Sequence, residues 1–259
     1  MSPRVHPTAV VHPEAKVHES VEVGPFAVIG PKVKIGANTR VGPHAVIEGD
    51  TVLGERNRVW QFASVGADPQ DLKFAGEDSK LIIGDDNLIR EFTTLHKGTT
   101  GGGGVTRIGN KNLFMAYSHV AHDCAVGSGC VLANGATLAG HVEIGDHVTL
   151  GGLTAVHQFS RIGKYAFIAG GAMVVMDVPP YCTAQGDRAE LAGLNTVGLT
   201  RHGFTEEQIR HVKEAYQLMF RSKLGFNEAV ARVRAELGAY AEVGVFLDFL
   251  TTSKRGITR

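Results

Sequence analysis

Over most of its first 174 residues this chain places an aliphatic or aromatic side chain at every sixth position. Val5, Val11, Val17, Val23, Ile29, Ile35, Val41, Ile47, Leu53, Val59 and Val65 follow one another in this phase. The phase survives at Ile83, Ile89 and Leu95, resets by one residue, and runs on from Ile108, Phe114 and Val120 to Ile162, Ile168 and Val174. An amphipathic helix repeats every 3.6 residues and a half-buried strand every two, so a period of six is neither. It fits short parallel strands joined by tight turns, three hexads making one coil of a solenoid. Four residues after each aliphatic position stands a small or β-branched residue, as at Ala9, Ala15, Val21, Ala27, Val33 and Thr39, sized for a corner. Glycine often follows the aliphatic residue, as in VGPFAV and IGPKVK, where it is expected to ease the turn.

This hexad pattern resembles the left-handed parallel β-helix of the hexapeptide acyltransferases. Handedness comes from the resemblance alone, because parallel crossovers are otherwise nearly always right-handed. The expected fold is a β-solenoid: a left-handed parallel β-helix of hexapeptide repeats over residues 1–186, followed by a small α-helical C-terminal domain over 187–259. Two stretches interrupt the hexads, PQDLKFAGEDSK at 69–80 and KGTTGGGGVTR at 97–107. Loops on a rigid scaffold often carry function, and the first holds Asp71 and Lys73. The run Gly101–Gly104 in the second has no role legible in the sequence. In the tail, Ile209, Val212, Tyr216 and Met219 share one helical face behind a capping box at Thr205 and Gln208. Further helices are expected from about Asn227 and from Val243 to Leu250.

Charge and cysteine content exclude several function classes. Lys plus Arg number 26 and Asp plus Glu 26, so no imbalance points to nucleic acid or an anionic membrane. No apolar stretch approaches the roughly 20 residues of a spanning helix, and MSPRVHPTAVVHPEAKVH does not read as a secretory leader. Three cysteines without a disulfide spacing fit a reducing cytoplasm.

The stretch SHVAHDCAVG places His119, His122, Asp123 and Cys124 within six residues. On a three-hexad coil, residues 18 apart stack about 4.8 Å from one another along the axis. His122, Gly140 and Gln158 then form one column and Asp123 and His141 another, with His119 and His157 beside them. Cys124 and Cys130 occupy the small inward positions, which argues for core residues and against a nucleophile. Three readings remain: a zinc site, solvated wall histidines, and a general base. Gly140 and Gln158 are poor zinc ligands, and scattered wall histidines would seldom converge in this way. An imidazole suits proton acceptance near neutral pH. Asp123 can orient the His122 ring if a turn brings the two side chains together, and the Gly140 N–H can meet a developing oxyanion. A base with an oxyanion donor is the equipment of acyl transfer.

SHVAHDC, LAGHV, GGLTAVHQF, QDLKFAGE and DVPPY, followed by a helical tail, resemble the UDP-N-acetylglucosamine O-acyltransferases over essentially the whole chain. The resemblance implies transfer of a (3R)-hydroxyacyl group from acyl carrier protein to the 3-hydroxyl of UDP-N-acetylglucosamine, the first step of lipid A biosynthesis. It further implies a cytoplasmic homotrimer with sites between neighbouring solenoids, and no metal or cofactor. In its terms His122 is the base, Asp123 its partner and Gly140 the oxyanion donor. Asp71, Lys73, His119, His141, His157, Gln158, Asn195 and Arg201 match substrate-contacting positions. Gly152 and Gly170, one coil apart, match the region along which the acyl chain lies. Glycine at both predicts a long acyl group rather than a ten-carbon one. His202 stands where relatives often carry a second arginine, and Val197 replaces an acidic residue. Arg210, Lys213, Arg221 and Lys223 gather on or beside the first long helix, either to meet an acidic carrier protein or as a solvated face. The alternatives are a zinc lyase of the γ-class carbonic anhydrase type and the N-acyltransferase of the same pathway, whose extra N-terminal domain is not seen here.

Overall fold

A computed structural model describes residues 4–259; Met1, Ser2 and Pro3, which open the stretch inspected for a leader, lie outside the described residues. Strands of mostly two residues recur every six, at Arg4–Val5, Val10–Val11, Lys16–Val17 and onward, and assemble into three sheets of 11, 9 and 8 strands. Sheet A starts with Arg4–Val5, sheet B with Val10–Val11 and sheet C with Lys16–Val17. Within the coils the pairing is parallel, as in Val5 with Val23, Val11 with Ile29 and Val17 with Ile35. Partners are 18 residues apart in regular coils, 30 across the first insertion and 25 across the second. The chain therefore winds a three-sided prism.

A two-residue strand cannot hold itself together; it is stable only between the coils above and below. Columns such as Ile29, Ile47, Val65, Leu95, Val120 and Leu138 are almost fully buried along the axis. Val5 in the first described coil is 38 % exposed, because its outer side has no coil to cover it.

At the corners the expected part played by glycine is corrected. The left-handed backbone falls two residues after the aliphatic position plus one, mostly on side-chain-bearing residues such as Phe26 (φ 59°) and His44 (φ 55°). The glycine that follows the aliphatic residue serves close approach instead: a Cβ on Gly36 would stand 2.6 Å from the Gly54 backbone in the next coil. The inward corner position is not uniformly small either. Between sheets C and A it holds a buried ladder of Thr39, Asn57, Asn87 and Asn112. Asn87 donates to Asn57 Oδ1 (3.1 Å) and the Gly109 carbonyl (3.0 Å), and accepts from the Asn112 N–H (3.0 Å).

The corner between sheets A and B carries an outward ladder. Phe26, His44, Phe62, Phe92 and Tyr117 stack in succession with ring centroids 4.9, 5.1, 5.3 and 4.9 Å apart. Each occupies the left-handed position of its turn, so all project the same way. The four non-histidine rings remain 41–64 % exposed.

Both insertions leave the B/C corner. The first joins strands Ser64–Ala67 and Lys80–Ile83, the second Thr94–His96 and Val105–Ile108. The second is shorter than its hexad gap predicts, because residues 105–107 extend a strand of sheet C. The insertions brace one another: the Thr100 N–H donates to Glu77 Oε1 at 3.3 Å, and Lys97 pairs with Asp68 at 2.8 Å.

Past the last coils, strand Cys182–Gln185 extends sheet A in parallel and Glu190–Leu194 turns back against it. Helices α1 (Thr196–Arg201), α2 (Glu206–Phe220), α3 (Phe226–Leu237) and α4 (Ala241–Thr251) follow. The capping box forms at Thr205 and Gln208, and α2 buries Val212, Tyr216 and Met219 while Ile209 is only partly covered. Helix α1 escapes the sequence pattern because it is a single short turn capped by the Asn195 side chain. No described helix is long and apolar enough to cross a membrane.

Candidate active site

His122 and Asp123 lie in a B/C corner turn, not in a strand. Adjacent strand residues would point to opposite faces, but Asp123 has φ 60° and its carboxylate returns to the imidazole. Asp123 Oδ2 stands 2.8 Å from His122 Nδ1, with side-chain exposures of 0 % and 15 % respectively. An ionised carboxylate only accepts hydrogen bonds, so Nδ1 carries the proton and Nε2 is left as acceptor. One coil on, Gly140 closes over that edge of the ring: a Cβ there would lie 2.7 Å from Nε2. Among the described residues the Gly140 N–H has no acceptor.

Other histidines surround this pair. His141 meets the His122 ring edge-on (5.1 Å) and stacks on Phe159 (4.5 Å). Burial lowers its proton affinity, while Asp123 and, more weakly, Asp71 act in the opposite sense. His119 is bound through Nδ1 to Thr94 Oγ1 at 2.7 Å, and burial holds its pKa at about 4. His96 packs edge-on against His119 at 4.9 Å, is 4 % exposed, and has no hydrogen-bond partner for Nδ1. The hexad pattern gives no cue to His96, which follows the inward position Leu95 immediately before the insertion. Gln158 and His157 are exposed one coil further on, where His157 Nδ1 accepts from Arg255 Nη2 at 2.8 Å. Arg255 belongs to the C-terminal segment that bridges back at Asp177 and Ile257, so it meets His157 from 98 residues away, beyond any repeat spacing. The Lys73 N–H donates to Asp71 Oδ1 at 3.0 Å in the first insertion, on this same corner.

The remaining positions lie elsewhere. Gly152 and Gly170 stack on the A/B corner, where a Cβ on Gly170 would meet the Gly152 carbonyl at 3.3 Å. Asn195 donates to the Tyr165 carbonyl at 3.0 Å, and His202, next to exposed Arg201, packs on His147 and Tyr165. That is the C/A corner. Three clusters occupy three corners of the prism, and a single protomer does not bring them together. On α2, Arg210 is drawn to Glu207 and Glu214, while Lys213, Arg221 and Lys223 beside it are exposed.

Two rival chemistries fare poorly on geometry. Cys124 and Cys130 are core residues whose thiols burial pushes up to about 12, far from thiolate reactivity at neutral pH. His122, Asp123 and His141 do bring three donor atoms within 4.8 Å of one another, a spacing a metal ion could use. Asp123 already accepts three hydrogen bonds, however. Oδ2 accepts from Thr99 Oγ1 (2.6 Å) and His122 Nδ1, and Oδ1 accepts from the Thr99 N–H (2.9 Å). A cation there would compete with these donors, most directly at Oδ2. Thr99 is a second residue that the repeat does not reveal.

Known proteins resemble this chain along nearly its whole length. Residues 177–258 match the family described as UDP N-acetylglucosamine O-acyltransferase, domain 2. Residues 14–49, 32–67 and 106–140 match the bacterial transferase hexapeptide repeat. The chain is 68 % identical over 256 residues to the acyl-[acyl-carrier-protein]–UDP-N-acetylglucosamine O-acyltransferase of Myxococcus xanthus, covering 99 % of each. It is 57 % identical to that of Neisseria meningitidis, covering 98 % of this chain and 99 % of the relative. Among solved structures, LpxA from Acinetobacter baumannii superposes with a TM-score of 0.96 at 42 % identity, over 99 % of this chain and 100 % of that one. The UDP-N-acetylglucosamine acyltransferase of Francisella novicida also gives 0.96, at 44 % identity over 98 % and 94 %. The coils are thus those of the left-handed parallel β-helix with a small helical C-terminal domain, and the chain belongs to the UDP-N-acetylglucosamine O-acyltransferase family.

Proposed function

We propose that this protein transfers a (3R)-hydroxyacyl group from acyl carrier protein to the 3-hydroxyl of UDP-N-acetylglucosamine, the first step of lipid A biosynthesis. The observation that carries the reading is the His122–Asp123 pair packed directly beneath Gly140. His122 Nε2 takes the proton of the sugar hydroxyl as the oxygen attacks the thioester carbonyl. The new C–O bond puts negative charge on the former carbonyl oxygen, and in this reading the Gly140 N–H, which has no acceptor among the described residues, receives it. Collapse breaks the C–S bond, and the imidazolium returns its proton to the departing carrier thiolate. Asp123 keeps Nδ1 protonated and stabilises the charged ring throughout. No step calls for a metal.

The acceptor is held by Asp71, Lys73, His119, His141, His157 and Gln158 on the B/C corner, in this reading. Asn195 and Arg201 meet the nucleotide, and Gly152 and Gly170 leave room for the acyl chain. Since these groups stand on three corners, the site is completed between copies, as a cytoplasmic homotrimer would provide. The exposed aromatic ladder on the A/B corner supports that assembly: it is a continuous apolar edge that a threefold packing would cover. Incubation of the purified protein with UDP-N-acetylglucosamine, a mixture of (3R)-hydroxyacyl carrier proteins and a metal chelator tests the reading. Mass spectrometry is expected to find the O-acylated sugar nucleotide. Absence of product, or its loss only when chelator is added, would overturn it.

A further inference from the structure

The glycine-rich insertion closes against the Asp123 carboxylate. Every polar backbone and side-chain group of Thr99 is engaged. Its N–H and Oγ–H reach the two oxygens of Asp123 at 2.9 and 2.6 Å, and its carbonyl accepts from the N–H groups of Gly102 (3.0 Å) and Gly104 (2.7 Å). The loop thereby closes on itself around one threonine. It is also tied to sheet C, since the Lys80 N–H donates to the Gly104 carbonyl (2.8 Å) and the Gly98 N–H to the Lys80 carbonyl (3.1 Å).

The glycines differ in what they permit. A Cβ on Gly102 would fall 2.0–2.4 Å from the Asp123 carboxylate, so only glycine lets the loop seal that group. Gly103 and Gly104 take left-handed conformations (φ 91° and 79°) that turn the chain back. Gly101 has neither constraint: its Cβ would have open space but for Thr99 Oγ1 at 4.0 Å. The sealed carboxylate has no exposed side-chain surface. A buried anion is costly unless its lone pairs are satisfied. Thr99 supplies two of the three hydrogen bonds, and its hydroxyl directs its one proton to Oδ2, the oxygen that meets the ring.

We infer that Thr99 and the glycine loop are a positioning device for the base, locking the Asp123 carboxylate so that His122 is presented as the Nδ1–H tautomer with Nε2 toward the substrate. The inference rests on the acyl-transfer reading with His122 as base, and the test separates the two. Steady-state kinetics on the assembled protein would compare wild type with Thr99→Val, Thr99→Ser, Gly102→Ala, Gly101→Ala and His122→Ala. Thr99→Val keeps the N–H and loses only the hydroxyl; kcat is expected to fall about 10-fold or more, less than the at least 10²-fold for loss of the base itself. KM for both substrates is expected to stay within about twofold, since the donor faces the carboxylate and not the substrate. Thr99→Ser restores most of kcat. Gly102→Ala lowers kcat like Thr99→Val, while Gly101→Ala is indistinguishable from wild type.

Wild-type kcat in Thr99→Val beside an inactive His122→Ala would overturn this inference and leave the acyl-transfer reading standing. A change confined to KM would overturn it too, by assigning the loop to substrate binding. Full activity in His122→Ala would instead remove the reading on which it rests. Should Thr99→Val fail to assemble, Gly102→Ala carries the same test with Thr99 intact, and unchanged kcat there is equally fatal.

Discussion

At the scale of single residues, local environment separates histidines that composition treats alike. His119 is held by burial at a pKa of about 4, well below the unperturbed 6.5. Between these values the unfolded chain binds a proton at this position and the folded chain does not, so folding stability rises with pH across that window. We expect His119→Asn to flatten that part of the stability–pH curve. Denaturant unfolding at intervals from pH 4 to 6.5 measures the slope, and an unaltered slope would mean that His119 does not contribute. Gly170 makes a different residue-scale prediction. An added Cβ there meets only the Gly152 backbone, its oxygen at 3.3 Å and its nitrogen at 3.7 Å, so a side chain needs a shift of a few tenths of an ångström in that coil. If the acyl chain runs along this column, Gly170→Met fills its distal end. Each coil advances about 4.8 Å, roughly four methylenes of extended chain. The variant is expected to prefer donors shorter by about that much while retaining turnover on them. A donor series with (3R)-hydroxyacyl carrier proteins reads the shift, and an unchanged profile removes Gly170 as the limit.

At the scale of the element, two-residue strands make each coil depend on its neighbours, so what stabilises the molecule is what runs along the axis. The asparagine ladder does so inside the C/A corner. Truncating Asn87 to alanine strands the Asn112 N–H and the Gly109 carbonyl, and removes a donor from Asn57. Each orphaned buried group costs about 1–3 kcal/mol, so Asn87→Ala, which orphans two, is expected to lose about 2–6 kcal/mol in all. Thermal unfolding would show it as a lowered midpoint. A loss below about 1 kcal/mol would mean that the coils relax around the gap. The same element logic explains the insertions: a solenoid coil tolerates added chain only at a corner, and both additions use the corner that bears His122.

At the scale of the whole molecule, the outer ladder of Phe26, His44, Phe62, Phe92 and Tyr117 is left about half exposed by one protomer. Fully burying one phenylalanine is worth about 1.5–3 kcal/mol, so covering the exposed half of each ring at the threefold axis of the proposed homotrimer would contribute part of that per ring in each of three copies. Phe62→Glu would bring three carboxylates together at that axis. If the proposed homotrimer packs on this edge, sedimentation or light scattering is expected to find the variant dissociated, with activity lost because the site would no longer be completed between copies. A Phe62→Glu protein that remains trimeric and active would place the assembly on another surface.

How much of this was legible before any coordinates follows from the range of the interactions. The period of six determined the solenoid, its inward columns and the stacking of residues 18 apart, because each inward residue answers to the same environment once per hexad. It thereby brought His122 beneath Gly140 and Asp123 beneath His141. The family resemblance, not the period, supplied the hand of the coil. Only the tertiary structure decided that the left-handed corner position belongs to Phe26 and its successors and that a turn at Asp123 returns its carboxylate to the ring. It alone tied Thr99 to Asp123, His96 to His119 and Arg255 to His157. These contacts carry no periodic signal. They join insertions and a terminal segment to the coils, and a loop's hydrogen bonds depend on where its backbone closes in space, which no local pattern of side chains encodes.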